Sequence, residues 1–175
     1  MTDAGNDRVE VFTSDGQYLF QWGRTGSGSG EFDQPRRLAI DAIGNVFVAE
    51  YNNSRVQKFD ASGSYILSWG GSCSAGSADP CFEHPLGIET DADDDVYVVD
   101  FYDDRVEKFD NSGTYLCEWG TSGLQDGQFN APQDVALDRN GTAFVVDQSG
   151  RVQAFVPIPV AVYETTWGRL KAAYR

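Results

Sequence analysis

One sixteen-residue phrase returns three times in this chain, and it restricts the fold more than any other feature does. Residues 55–70 read RVQKFDASGSYILSWG; residues 8–23 read RVEVFTSDGQYLFQWG and residues 105–120 read RVEKFDNSGTYLCEWG, with a shorter return, RVQAF, from Arg151. In every full copy the Arg stands fourteen residues before the Trp. A phrase kept in length at a period of tens of residues marks a repeat architecture, in which each unit buries its apolar face only against the next.

Each period carries the same punctuation. A Gly-rich link containing Gly28 and Gly30 leads through Phe32 to Pro35, and four short apolar runs follow at 38–41, 46–50, 55–60 and 65–69. The runs are β-branched and aromatic, as strands are. Between them lie Gly44-Asn45, Asn52-Asn53-Ser54 and Asp60-Ala61-Ser62-Gly63, residues that accept positive φ or bond their own backbone. The pattern restarts at Phe82 and Pro85, and again at Gly127, Phe129 and Pro132. From Pro to Arg the units measure 20, 20 and 19 residues, so length varies only in the links.

Four strands in each 47 to 50 residues predict an all-β fold: a β-propeller segment of four-stranded antiparallel blades. The segment covers residues 1–156, as a half blade (1–23) and blades 24–70, 71–120 and 121–156. A Pro-containing tail, 157–175, follows. There Trp167, Leu170 and Tyr174 fall at the spacing of a short amphipathic helix, with a fourth strand ending at Trp167 as the alternative reading. A closed propeller takes about four to eight blades. The expectation is a piece of a larger propeller, or a homodimer through open blade ends that brings two half blades together.

Charge narrows the partners. Lys and Arg number 13 against 27 Asp and Glu, a formal net charge of −14, whereas binding a phosphate backbone rests on Lys and Arg. Nucleic acid is disfavoured as a partner. No apolar run reaches the ~18 residues of a membrane span, and no signal peptide opens the sequence.

Some residue types suggest chemistry. Asp3 and Arg8, Glu50 and Arg55, Asp100 and Arg105, and Asp147 and Arg151 recur across the same hairpin turn, and recurrence in every unit reads as a structural ion pair. Trp22, Trp69 and Trp119 read as packing between blades. Cys73 and Cys81 bracket the one enlarged link. They are expected as a local disulfide in an oxidising, secreted or extracytoplasmic setting, with free thiols as the alternative and too few ligands nearby for zinc. Cys117 takes a strand position held by Phe20 and Leu67 and reads as a small apolar residue. The run Asp91-Ala92-Asp93-Asp94-Asp95 offers oxygen ligands, a weak case for calcium, but it aligns with the ordinary turn 41–45. His84, the single histidine, stands where Gln34 and Ala131 stand and reads as a loop residue. No nucleophile elbow, phosphate loop or His-Glu-x-x-His occurs. No catalytic, cofactor-binding or metal residue is assigned, and the chain is expected not to be an enzyme.

Gly-x-Phe-x-x-Pro, then Gly-Asn-Val, then Asn-x-Arg-Val-Gln-Lys-Phe and a closing Trp-Gly, up to Phe155, resemble the NHL-repeat family of β-propellers. The resemblance implies six blades in the usual case. It also implies one of three uses: protein-binding sensors outside bacterial cells, RNA- or protein-binding ends of ubiquitin ligases, or a peptide-amidating lyase. That lyase depends on several metal-binding histidines, which this chain does not supply. The expected function is therefore a non-catalytic scaffold or sensor with a protein or peptide ligand. The alternative is a metal-dependent lyase or lactonase completed by further blades or a second chain.

Overall fold

The computed structural model describes residues 1–72 and 81–156. The expected C-terminal helix, Trp167, and the Cys73 half of the expected disulfide lie outside the described residues. Among the described residues all regular structure is strand.

A three-stranded sheet opens the chain, from β1 (Thr2–Asp3), β2 (Arg8–Phe12) and β3 (Tyr18–Trp22). Four-stranded sheets follow from β4 (Pro35–Ile40), β5 (Val46–Glu50), β6 (Arg55–Phe59) and β7 (Tyr65–Gly70), and from β8 (Pro85–Thr90), β9 (Val96–Asp100), β10 (Arg105–Phe109) and β11 (Tyr115–Trp119). The last described sheet holds β12 (Pro132–Leu137), β13 (Ala143–Asp147) and β14 (Val152–Phe155). Every sheet is an antiparallel meander in chain order, the topology that hairpin links a few residues long permit. The first strands line up side by side, β4 against β8 and β8 against β12. The outermost strands β3, β7 and β11 alternate exposed and half-buried residues, as edges facing water do.

The apolar core lies between sheets. Val46, Val48 and Phe59 pack with Val9 and Phe32; Phe47, Ala49 and Val56 pack with Ile88, Val98 and Phe109; Val99 and Val106 pack with Val135, Val145 and Phe155. Strand alternation explains the division, since β5 sends Val46 and Val48 to one neighbour and Phe47 and Ala49 to the other.

Each seam is keyed by a tryptophan. Trp22 lies 5.8 Å from Phe59, Trp69 5.7 Å from Phe109 and Trp119 5.9 Å from Phe155, ring centre to ring centre. The turn after that Phe closes over the indole. Gly63 and Gly113 have φ near +83°, and a Cβ there would come within 2.7 Å of Trp22 and 2.8 Å of Trp69. Glycine is required twice over, by the left-handed backbone and by the ring against it.

Candidate functional site

What recurs in every blade must be separated from what occurs once. The recurring polar groups form a frame that ties each link to its sheet. Arg55 Nε lies 2.6 Å from Glu50 Oε1, and its terminal nitrogens donate to the carbonyls of Ser27, Gly28 and Glu31 in the link. Arg151 sits 3.0 Å from Asp147 and donates to the carbonyls of Gly123, Leu124, Gln125 and Gln128. Arg8 is 2.9 Å from Asp3, and Arg105 is 3.5 Å from Asp100. The carboxylates also take link N–H groups: Glu50 from Asp33, Asp100 from Glu83, Asp147 from Asn130. The repeat Arg is thus a staple for its link as well as a partner across the hairpin. The buried Gln57 and Gln153 share the task, each accepting from a link glycine and donating to a link carbonyl. The sequence offered no signal for these glutamines beyond a polar residue at a strand position that faces inward.

In the β8–β11 sheet this position holds Glu107. Its Oε2, like Nε of Arg105, has no hydrogen-bond partner among the described residues. Burial pushes the Glu107 carboxyl up to about 8 against the pull of Arg105, and burial likewise raises Asp100 to about 7.

One seam departs from the repeat. His84, Tyr51, Phe101, Tyr102 and Arg36 gather where the start of β4 and the β9–β10 turn meet. The His84 ring stacks on Tyr51 at 4.2 Å and 18°, and Tyr102 meets His84 edge-on at 5.1 Å. Phe101 stands 4.9 Å from Tyr102 and 6.4 Å from Tyr51. Arg36 covers Tyr51 at 4.8 Å. His84 Nδ1 lies 2.7 Å from the carbonyl of Tyr51; a carbonyl only accepts, so Nδ1 carries the proton and Nε2 holds the lone pair of the neutral ring. Burial, then the neighbouring Tyr102 phenol, raises the Tyr51 pKa, so its hydroxyl stays protonated. Read in sequence as a plain loop residue, His84 is the centre of this stack. The aromatic partners come from separate loops, which no sequence spacing reveals.

A β-bulge shapes the rim beside it. Between Pro35 and Leu38 the β4–β5 register shifts, which sets Arg36 and Arg37 in the bulge; bulges re-aim side chains in this way. The same place holds Leu86 and Gly87 in β8, and Gln133 and Asp134 in β12. Arg37 reaches past β8 to Asp134 at 3.3 Å. Gly87 permits this, because a Cβ there would stand 2.7 Å from the Asp134 backbone and 2.9 Å from its carboxylate.

At the opposite ends of the first strands, a cavity of about 770 Å³ is bounded by three turns that start at Asp41, Asp91 and Asp138. Their carboxylates are largely committed: Asp41 to Ile43 and Asn45, Asp138 to Asn140 and Thr142, Asp91 to Asp93 and Asp95 N–H groups and the Tyr97 hydroxyl. Lys108 lies 3.0 Å from Asp91 and 2.7 Å from Asp95, so an ammonium stands against the carboxylates weighed for calcium. Among the described residues no group of three or more His, Cys, Asp or Glu is placed to hold a metal ion. Cys117 is half-buried, and burial raises its thiol.

Four-stranded meanders stacked face to face with their first strands side by side define a β-propeller segment. A family model described as "6-bladed beta-propeller" matches residues 1–69. No curated protein matches the chain in sequence. The solved structures it is similar to include a streptogramin B lyase (15% identity, TM-score 0.56, covering 91% of this chain and 51% of that one). They also include virginiamycin B lyase from Staphylococcus aureus (17%, 0.55, 90% and 50%) and hydrazine synthase from Kuenenia stuttgartiensis (13%, 0.62, 86% and 40%). The chain spans about half the length of the two lyases.

These neighbours correct one expectation. The chain was expected not to be an enzyme because it carries no catalytic motif, yet lyases share its fold. The physical reason is that a propeller rim collects side chains from loops of several blades, so a site can exist without any contiguous motif.

Proposed function

We propose that this chain is a segment of an NHL-type propeller that binds a protein, peptide or smaller ligand, as a scaffold or sensor, on the rim formed by the starts of β4, β8 and β12. One observation carries this reading: aromatic rings and an arginine that sister units lack gather into one stack at a single seam. Residues that recur in every blade are accounted for by links and cores. Tyr51, His84, Tyr102 and Arg36 replace Ala4, Gln34, Asn52 and Leu86 of sister units and serve neither. Loops on a rigid sheet scaffold are where recognition is placed.

The test is a set of amide NMR spectra recorded with three small probes, benzoate, benzyl alcohol and benzylammonium. Shifts at Tyr51, His84 and Tyr102 are expected for at least one probe. Shifts confined to the turns at Asp41, Asp91 and Asp138 would overturn the reading and move the site to the acidic cavity.

A catalytic use of the same rim is the second reading, favoured by the free Nε2 lone pair on a histidine held by carbonyl and ring. It requires further groups from blades or chains beyond those described. Replacing His84 with the Gln of its sister unit would then remove turnover while leaving the fold in place.

A further inference from the structure

The chain is strongly acidic, yet its β4 bulge presents two adjacent, exposed arginines. Among the described residues Arg8, Arg24, Arg37, Arg55, Arg105 and Arg151 each lie against a carboxylate, whereas Arg36 and Arg139 do not. Arg36 is nevertheless held. One nitrogen donates to Gln34 Oε1 at 2.7 Å, and the guanidinium lies over the Tyr51 ring, which also stacks with His84. A guanidinium has five donors, so a single neutral acceptor leaves most of them for something else. Arg37 is tied only to Asp134, with 63% of its side chain and 36% of the acid's exposed; such a pair contributes little and yields to a better acceptor.

Nearby acids are mostly engaged. Asp33 accepts from Asn52, and Asp7 accepts from Thr25 and the Gln34 N–H, while Glu83 is exposed. Tyr102, linked to Arg36 through Tyr51 and His84, is 56% exposed and braced edge-on by Phe101 and His84. A fixed ring of this kind offers an aromatic partner an edge or a face.

We propose that the β4 bulge binds a ligand joining a carboxylate to an aromatic ring, with the carboxylate on Arg36 and Arg37 and the ring against Tyr102. The proposal rests on the reading of this rim as the binding face and names the ligand class it takes. Planar guanidinium matches carboxylate in a two-bond fork, which an ammonium cannot reproduce.

The three probes separate the two levels. Benzoate is expected to bind tightest, shifting Arg36, Arg37 and Tyr102. Arg36→Gln is expected to weaken benzoate about tenfold, and Arg36→Lys by less, with benzyl alcohol unaffected by either. Arg36 is exposed, and unchanged unfolding curves will confirm that both variants fold. Benzylammonium binding as well as benzoate, or benzoate binding unchanged in Arg36→Gln, overturns the proposal. If benzyl alcohol matches benzoate at the seam, the carboxylate class falls and the rim reading survives; if no probe shifts the seam, both fall.

Discussion

Glu107 shows how much one oxygen matters inside a blade. Gln57 accepts from the N–H of Gly30 in its link. A carboxylate stands at 107 instead of an amide, with one oxygen unpartnered among the described residues. Glu107 and Asp100 keep their protons in the fold at pH values where the unfolded chain has lost them. Their contribution to stability is therefore full below the ordinary carboxylate pKa values of 4.5 and 3.8, and it is lost as the pH rises through about 7 for Asp100 and about 8 for Glu107. Urea unfolding across that window should show falling stability. Glu107→Gln should flatten the fall and raise stability at and above neutral pH, because an amide has no proton to lose. Its amide would donate toward Asp100 or the Cys81 carbonyl, as Gln57 does toward Glu50 and the Glu31 carbonyl. A Glu107→Gln variant less stable than the parent at neutral pH would refute this account.

Between strands and sheets, the Trp and Gly pair predicts a coupled effect. Trp69→Ala should cost about 2–3 kcal/mol, below the ~3–5 kcal/mol of a fully buried aromatic because the ring is only partly buried; Phe47 and Phe109 lose the ring between them. Gly113→Ala should also destabilise, through its φ of 83° and a Cβ set 2.8 Å from Trp69. In the Trp69→Ala background the clash vanishes and only the backbone strain remains. Thermal unfolding of the four proteins should therefore give a double-mutant cycle clearly short of additive. Strands, turns and this packing were legible in the sequence because they repeat: Arg, Trp and Asp-x-x-Gly return at fixed spacing, and spacing is what a chain displays. The paired Asp and Arg were legible for the same reason, although their bonds to the link were not. The His84 stack was hidden because Tyr51, His84 and Tyr102 come from three loops, Arg36 comes from a strand, and the combination occurs once. The bulge that carries Arg36 and Arg37 was hidden as well, since a single extra residue changes a strand's register without changing its composition.

Across the whole chain, the last described sheet differs from its sisters in one respect. Phe144 is 39% exposed where Phe47 and Tyr97 are 0% and 8%, and Val152 is 63% exposed where Val56 and Val106 are both 0%. The face of β12–β14 turned away from the β8–β11 sheet therefore presents apolar positions that elsewhere form a seam. A polypeptide of these residues should enhance the fluorescence of an apolar dye such as anilinonaphthalene sulfonate. Replacing Val152 with Asp should reduce that signal, whereas replacing the exposed Leu124 of a link should not. Equal effects of the two substitutions would show that the dye reads surface polarity in general.

The stapling of each link also sets an order in time. Carbonyls of residues 27–31 wait for Arg55, and those of residues 123–128 wait for Arg151, more than twenty residues further along in each case. On a ribosome the link and the first two strands of a sheet emerge before the arginine that fastens them, and the Phe and Gly that close over the preceding indole follow later still. The growing chain therefore locks in discrete steps of one sheet, each step completing the seam behind it, and synthesis stalled between a proline and its arginine would leave a tethered but unfastened sheet beside a finished one.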